Sequence, residues 1–150
     1  MTVSLHKVDK STWDRGPWDK EPDYKFFEYE GLPCIIRRGE HIGSWCGYVA
    51  VPLGHPWHGV DYGNVDANVH GGLTYSDKCQ GHICHIPKPG EADDVWWLGF
   101  DCGHSYDLSP AYHASFKSFS FSAECVYRDM EYVLKETVEL AKQAKAAANG

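Results

Sequence analysis

The segment that most constrains this chain runs from Val95 to Cys102. One parity carries Trp96, Leu98, Phe100 and Cys102, and the other carries Val95, Trp97, Gly99 and Asp101. Side chains alternate across a strand, so a strand apolar at both parities needs cover on both faces. It reads as a central strand with a site for chemistry at its end, where Asp101 follows Phe100. Other strand-like segments surround it. Tyr24 to Glu30 alternates aromatic and charged residues, and Cys34 to Arg37 returns after Gly31-Leu32-Pro33, which is a hairpin pattern. Trp45 to Val51 is stopped by Pro52. Ala67 to Ser76 reads as a strand whose polar parity carries Asn68, His70, Thr74 and Ser76. Phe116 to Phe121 alternates Phe with Lys or Ser and reads as an edge strand.

One segment has helical spacing instead. Val126, Met130, Val133, Thr137, Leu140, Ala141 and Ala144 predict a helix from Tyr127 to about Ala147. Strands followed by one C-terminal amphipathic helix predict a single α+β domain, with a mainly antiparallel or mixed sheet packed by that helix. The domain is expected over residues 23–150. Residues 1–22 read as an irregular arm whose Trp13 and Trp18 dock onto the body.

Charge and leader patterns narrow the function classes. Lys and Arg number 14 against 21 Asp and Glu, a net charge of −7. A phosphate backbone needs a concentrated cationic face, so direct nucleic-acid binding is not expected. Met1 to Lys10 lacks the apolar core of a secretory signal, and no apolar run is long enough to span a bilayer. The expected setting is the cytoplasm, where the six cysteines stay reduced and serve mostly as small buried hydrophobes.

Four segments carry residue types suited to chemistry. Asp101-Cys102-Gly103-His104-Ser105-Tyr106-Asp107 places carboxylate, imidazole and carboxylate at three-residue intervals where a strand gives way to a loop. Imidazole and carboxylate together suit Zn²⁺ or Fe²⁺. In the competing reading, Asp101 caps a turn and His104 lies on the surface. Val69-His70-Gly71-Gly72-Leu73-Thr74-Tyr75 combines a histidine with glycine-made space, as a ligand or a close backbone approach would require. Otherwise His70 is a packed histidine beside a bulge. Gly54-His55-Pro56-Trp57-His58-Gly59 is a loop that either folds over a pocket or forms a surface turn anchored by Trp57. Cys79, His82, Cys84 and His85 offer zinc ligands without a complete zinc spacing. Cys102 turns toward the apolar face with no helix starting after it, and reads as a buried thiol rather than a nucleophile.

A resemblance rests on some of these residues. Cys46-Gly47-Tyr48-Val49-Ala50-Val51-Pro52, Gly54-His55-Pro56, Val69 to Tyr75, Trp96-Trp97-Leu98-Gly99-Phe100-Asp101-Cys102-Gly103-His104 and Tyr127 to Val133 resemble a small family of proteins from tailed bacteriophages and prophages, with no assigned activity. It spans roughly residues 45–143. The family pattern often carries Ala at Gly103 and Gly at Tyr106, and it lacks the segment with Cys79, His82, Cys84 and His85. The resemblance implies phage origin, a host-cytosolic setting and an accessory role, such as nucleotide metabolism or action against host defence.

Two functions are consistent with this. In the first, the protein is a metal-dependent hydrolase of a nucleotide or another small molecule. His70, Asp101 and His104 would hold a divalent metal, Zn or Fe, with Asp107 or His55 as acid/base groups. Trp57, Tyr75, Trp97 and Thr74 would line the substrate site. In the second, it is a non-catalytic inhibitor or binding module. Its acidic, aromatic surface would engage a basic host protein or sequester a nucleotide signal.

Overall fold

The fold is α+β: one antiparallel sheet packed by a C-terminal helix, in a computed structural model that describes residues 7–78, 94–104, 106–111 and 125–150. The strands are β1 (Tyr24–Tyr29), β2 (Leu32–Arg38), β3 (Trp45–Val51), β4 (Tyr75–Lys78) and β5 (Trp96–Asp101), in the order β1-β2-β3-β5-β4. The helix α1 spans Met130–Asn149. β5 lies between β3 and β4, and Trp97, Leu98, Gly99 and Phe100 are all buried. Both its parities are therefore covered, as its composition requires.

The β1–β2 hairpin turns at Glu30 and Gly31, both with positive φ (46° and 86°). Such a primed two-residue turn matches the twist of paired strands. The turn therefore falls earlier than Gly31-Leu32-Pro33, and Pro33 lies inside β2 opposite Glu28.

The helix lies on one face of the sheet. Val133, Leu140, Ala141 and Ala144 pack against Cys34, Ile36, Val49 and Leu98 in one core. Gly47 is the point of closest approach: a Cβ there would stand 2.2 Å from Thr137 Oγ1 and 2.6 Å from the Phe100 ring. On the opposite face, Ile35, Ala50 and Trp97 are buried with Tyr24, Phe26, Tyr48 and Tyr75. Gly99 makes room there for the Tyr48 ring.

Two sequence expectations are corrected. The strand expected over Ala67 to Ser76 is confined to its end, because consecutive left-handed glycines (Gly71 φ 67°, Gly72 φ 81°) turn the chain, closed by a Gly72 N–H bond to the Val69 carbonyl at 2.8 Å. The helix begins at Met130 rather than Tyr127, because Asp129 caps it, its carboxylate accepting the Tyr132 N–H at 2.8 Å. The expected strand at Phe116 to Phe121 and the Cys79–His85 cluster lie outside the described residues.

The arm, described from Lys7, is built into the body. Pro17–Lys20 forms a short 3-10 turn, and Trp18 is buried edge-on against Tyr127 at 5.1 Å. Arg38, fully buried, bonds the Asp23 carboxylate at 2.7 Å, the Gly43 carbonyl at 2.8 Å, Tyr127 Oη at 3.0 Å and Glu21 at 2.8 Å, and stacks over Trp45. Glu21 also accepts the Tyr127 hydroxyl and, at 2.7 Å, the Met130 N–H, so the arm caps the first turn of α1. Among the described residues no helix is long and apolar enough to cross a membrane.

Candidate functional site

The chain gathers its polar groups where β5 ends and α1 begins. The glycine turn after Val69 puts His70 at its tip, and side chains of α1 hold that segment. Gln143 makes paired amide bonds to the Asn68 backbone (2.7 and 2.8 Å), and Glu136 accepts the His70 N–H at 2.8 Å. Tyr132, Glu136 and Gln143 follow helical spacing on one face, so the helix supplies hydrogen bonds that a neighbouring strand would otherwise give.

The His70 ring is held at both nitrogens. Nε2 lies 2.8 Å from Asp107 Oδ2 and Nδ1 lies 2.8 Å from the Tyr132 hydroxyl. A carboxylate only accepts, so Nε2 carries the proton and Nδ1 accepts from Tyr132. Asp107 is buried, with its side chain 2% exposed, and it also accepts the His104 N–H at 3.1 Å and Arg128 Nε at 3.0 Å. Arg128 in turn lies 5.0 Å over the Tyr132 ring. The bond to Asp107 raises the Arg128 guanidinium further above its usual range. Burial, with Glu136 beside it, pushes the Tyr132 hydroxyl up as well.

His104 completes the corner. Its ring centroid is 6.0 Å from that of His70, and it lies against Gly71, where a Cβ would stand 2.3 Å from the ring. Gly71 is thus fixed twice, by its positive φ and by this approach. His104 Nε2 is 3.5 Å from Asp101 Oδ1 and has no hydrogen-bond partner among the described residues. Asp101 is oriented by the Thr74 hydroxyl at 3.0 Å and the Gly103 N–H at 2.9 Å. Tyr106 holds φ 73° in this loop, a left-handed conformation that ordinarily favours glycine.

The fold therefore brings His70, Asp101, His104, Asp107 and Thr74 into one corner. It does not bring His55 there. The His55 ring donates to the Ala144 carbonyl at 2.7 Å and accepts the Trp57 N–H at 2.9 Å, twelve residues along α1 from Tyr132, about 18 Å at 1.5 Å per residue. Buried and fully bonded, His55 pins a loop to the helix rather than serving as an acid or base. Trp57 is likewise buried in the helix-side core. Trp97 is fully buried on the opposite face, and Tyr75 on that face packs against Tyr48 at 5.5 Å. None of these three aromatics forms a wall of this corner.

Sequence reasoning missed Tyr132, Glu136 and Arg128, which all come from the helix or its approach. The only available signal was a run of polar side chains at helical spacing, which ordinarily marks a solvated face. Among the described residues no three His, Cys, Asp or Glu side chains form a group able to hold a metal. Compared with protein-family models, with curated proteins and with solved structures, the chain matches none.

Proposed function

We propose that this corner is the active site of a hydrolase for a nucleotide or another small polar molecule, with Tyr132 and His70 as its proton-carrying pair. The observation that carries the reading is the ring of His70 held between a buried carboxylate and a half-buried hydroxyl. A carboxylate behind an imidazole fixes its tautomer and stabilises the imidazolium that forms when it takes a proton. Tyr132 faces the other nitrogen. Burial keeps Tyr132 a neutral O–H that donates to His70 Nδ1. An attacking water would pass a proton to the Tyr132 oxygen as Tyr132 passes its own to His70, and the imidazolium would return a proton by the same route to the leaving-group oxygen as its bond to the substrate breaks. Asp107 and Arg128 are positioning residues, the first for the His70 ring and the second for Asp107 and the Tyr132 ring. The resemblance supplies a setting for such an enzyme, as a phage accessory protein in the host cytosol.

The test is hydrolysis of a panel of nucleotides, phosphoesters and carboxylic esters by the wild type, His70→Gln and Tyr132→Phe. The expected result is turnover of at least one member, reduced about 100-fold or more in His70→Gln. Equal turnover in His70→Gln would overturn the assignment. No turnover, together with stoichiometric capture of a basic protein, would replace it with the binding-module reading that the acidic charge favours.

A further inference from the structure

We infer that the N-terminal arm sets the geometry of the His70 corner, with Glu21 as a positioning residue that acts through residues 127–130. Neighbours in that segment serve different networks. The Tyr127 hydroxyl donates to Glu21 and accepts Arg38 Nη1 at 3.0 Å. Arg128 Nε bonds Asp107 Oδ1 at 3.0 Å. Asp129 accepts the Tyr132 N–H at 2.8 Å, and Glu21 Oε2 accepts the Met130 N–H at 2.7 Å. One carboxylate therefore grips the chain on both sides of Arg128, and Tyr132 follows shortly after the second grip.

Glu21 can act this way because it is itself fixed. Its side chain is largely buried, and it accepts Arg38 Nη2 at 2.8 Å and Trp45 Nε1 at 3.4 Å. Arg38 lies in β2 and Trp45 in β3, so the carboxylate is held against the sheet. Behind it the arm is wedged in place. Trp18 stands edge-on to Tyr127, and Trp13 lies against Gly43, where a Cβ would stand 2.6 Å from the ring.

Tyr132 belongs to the first turn of α1, where helices fray and N–H groups lack intrahelical partners. Its hydroxyl meets His70 Nδ1 at 2.8 Å, a bond that needs this turn to keep its rotational phase. Loss of the Glu21 carboxylate strips the acceptor from the Met130 N–H and the anchor from Tyr127. Both holds on His70 then loosen together, Tyr132 directly and Arg128 through Asp107. The effect on turnover rests on the hydrolase reading, whereas the effect on the His70 ring does not.

The test is ¹⁵N NMR of the histidine rings and of Arg128 Nε, without substrate, in the wild type, Glu21→Ala, Glu21→Gln and His55→Gln. His55→Gln removes a bond at the far end of the same helix and serves as the comparator. The wild type should show His70 with its proton on Nε2. In Glu21→Ala the His70 tautomers should mix and the Arg128 Nε–H should exchange with water about tenfold faster or more. Glu21→Gln keeps one acceptor oxygen, should lie between the two, and decides the matter if Glu21→Ala does not fold. Urea unfolding ranks the variants. Unchanged His70 and Arg128 signals in folded Glu21 variants overturn the inference. So does an equal change in His55→Gln at a matched loss of stability. On a hydrolysed panel member, kcat in Glu21→Gln should fall about tenfold or more, with KM within about threefold. Altered His70 signals without hydrolysis of any panel member would keep the positioning role and remove the hydrolase. Hydrolysis lost in His70→Gln but intact in Glu21→Gln, with its ring signals unchanged, would do the reverse.

Discussion

Two networks of charged side chains meet at the start of α1, and they differ in how completely they are closed. Around Arg38 the guanidinium is fully buried and bonded to Asp23, Glu21, Tyr127 and a backbone carbonyl, with Trp45 below it. Around His70 the carboxylate of Asp107 is equally deep, but the imidazole is 13% exposed, Arg128 is 28% exposed and His104 Nε2 has no hydrogen-bond partner among the described residues. A closed network resists change, because removing one partner strands a buried charge. An open one retains a group that can meet a ligand. The same residue types thus close one network completely and leave the other partly exposed.

The largest expected effect breaks the closed network. Arg38→Ala leaves Asp23 and Glu21 without their buried cation and should cost about 3–5 kcal/mol, read from urea unfolding. A loss below about 1 kcal/mol would show that the cluster does not secure the arm. Leu140→Asp should be comparably damaging, since Leu140 is fully buried under the sheet. His70→Gln should separate the two networks, with hydrolysis down about 100-fold and stability changed by no more than about 1–2 kcal/mol. If unfolding shifts as far as it does in Arg38→Ala, the His70 corner is structural.

The pH dependence of stability sharpens the contrast further. In the closed network, burial works against the Asp23 carboxylate, but Lys10, the Val8 N–H and Arg38 together hold it below its ordinary 3.8. The folded state then binds its proton less readily than the unfolded chain. That stabilisation is present above pH 3.8 and is lost as the pH falls below it. At the alkaline end, burial pushes Cys34 up to about 12 and Cys46 up to about 11, against 9.0 for the free thiol. Their contribution is intact below pH 9 and declines between about 9 and 12, as the unfolded chain sheds protons that the folded chain keeps. A thermal midpoint unchanged between pH 8.5 and 10.5 would contradict this. The smallest effect is expected at the far end of the helix. Lys145 reaches the Glu30 carbonyl at 3.1 Å, and Lys145→Asp should stay within about 0.5 kcal/mol.

Much of the fold was legible because it depends on periodicity. The double-sided pattern of Trp96 to Phe100 placed β5 in the interior, and the spacing of Val133, Leu140 and Ala144 marked the buried stripe of α1. His70 shows where that logic failed. Its alternation with Gly71 and Gly72 imitates a strand, yet two left-handed glycines make it a turn. Trp57 and Trp97 were attractive as stacking walls because aromatic rings suit both ligands and cores, and composition does not separate the two uses.

From the chain alone follow most of the strands, a C-terminal helix on a mainly antiparallel or mixed sheet, the acidic balance and the candidate chemistry at Asp101, His104, Asp107 and His70. These depend on neighbours within a few residues, whose spacing is written directly in the order of side chains. Tertiary structure alone decided that Arg128 and Tyr132 join them, that His55 turns away to the far end of α1, and that Glu21 reaches across to cap the helix. Those contacts bridge segments from about twenty to more than a hundred residues apart, and only the packing of a helix on a sheet determines which distant side chains come within 3 Å.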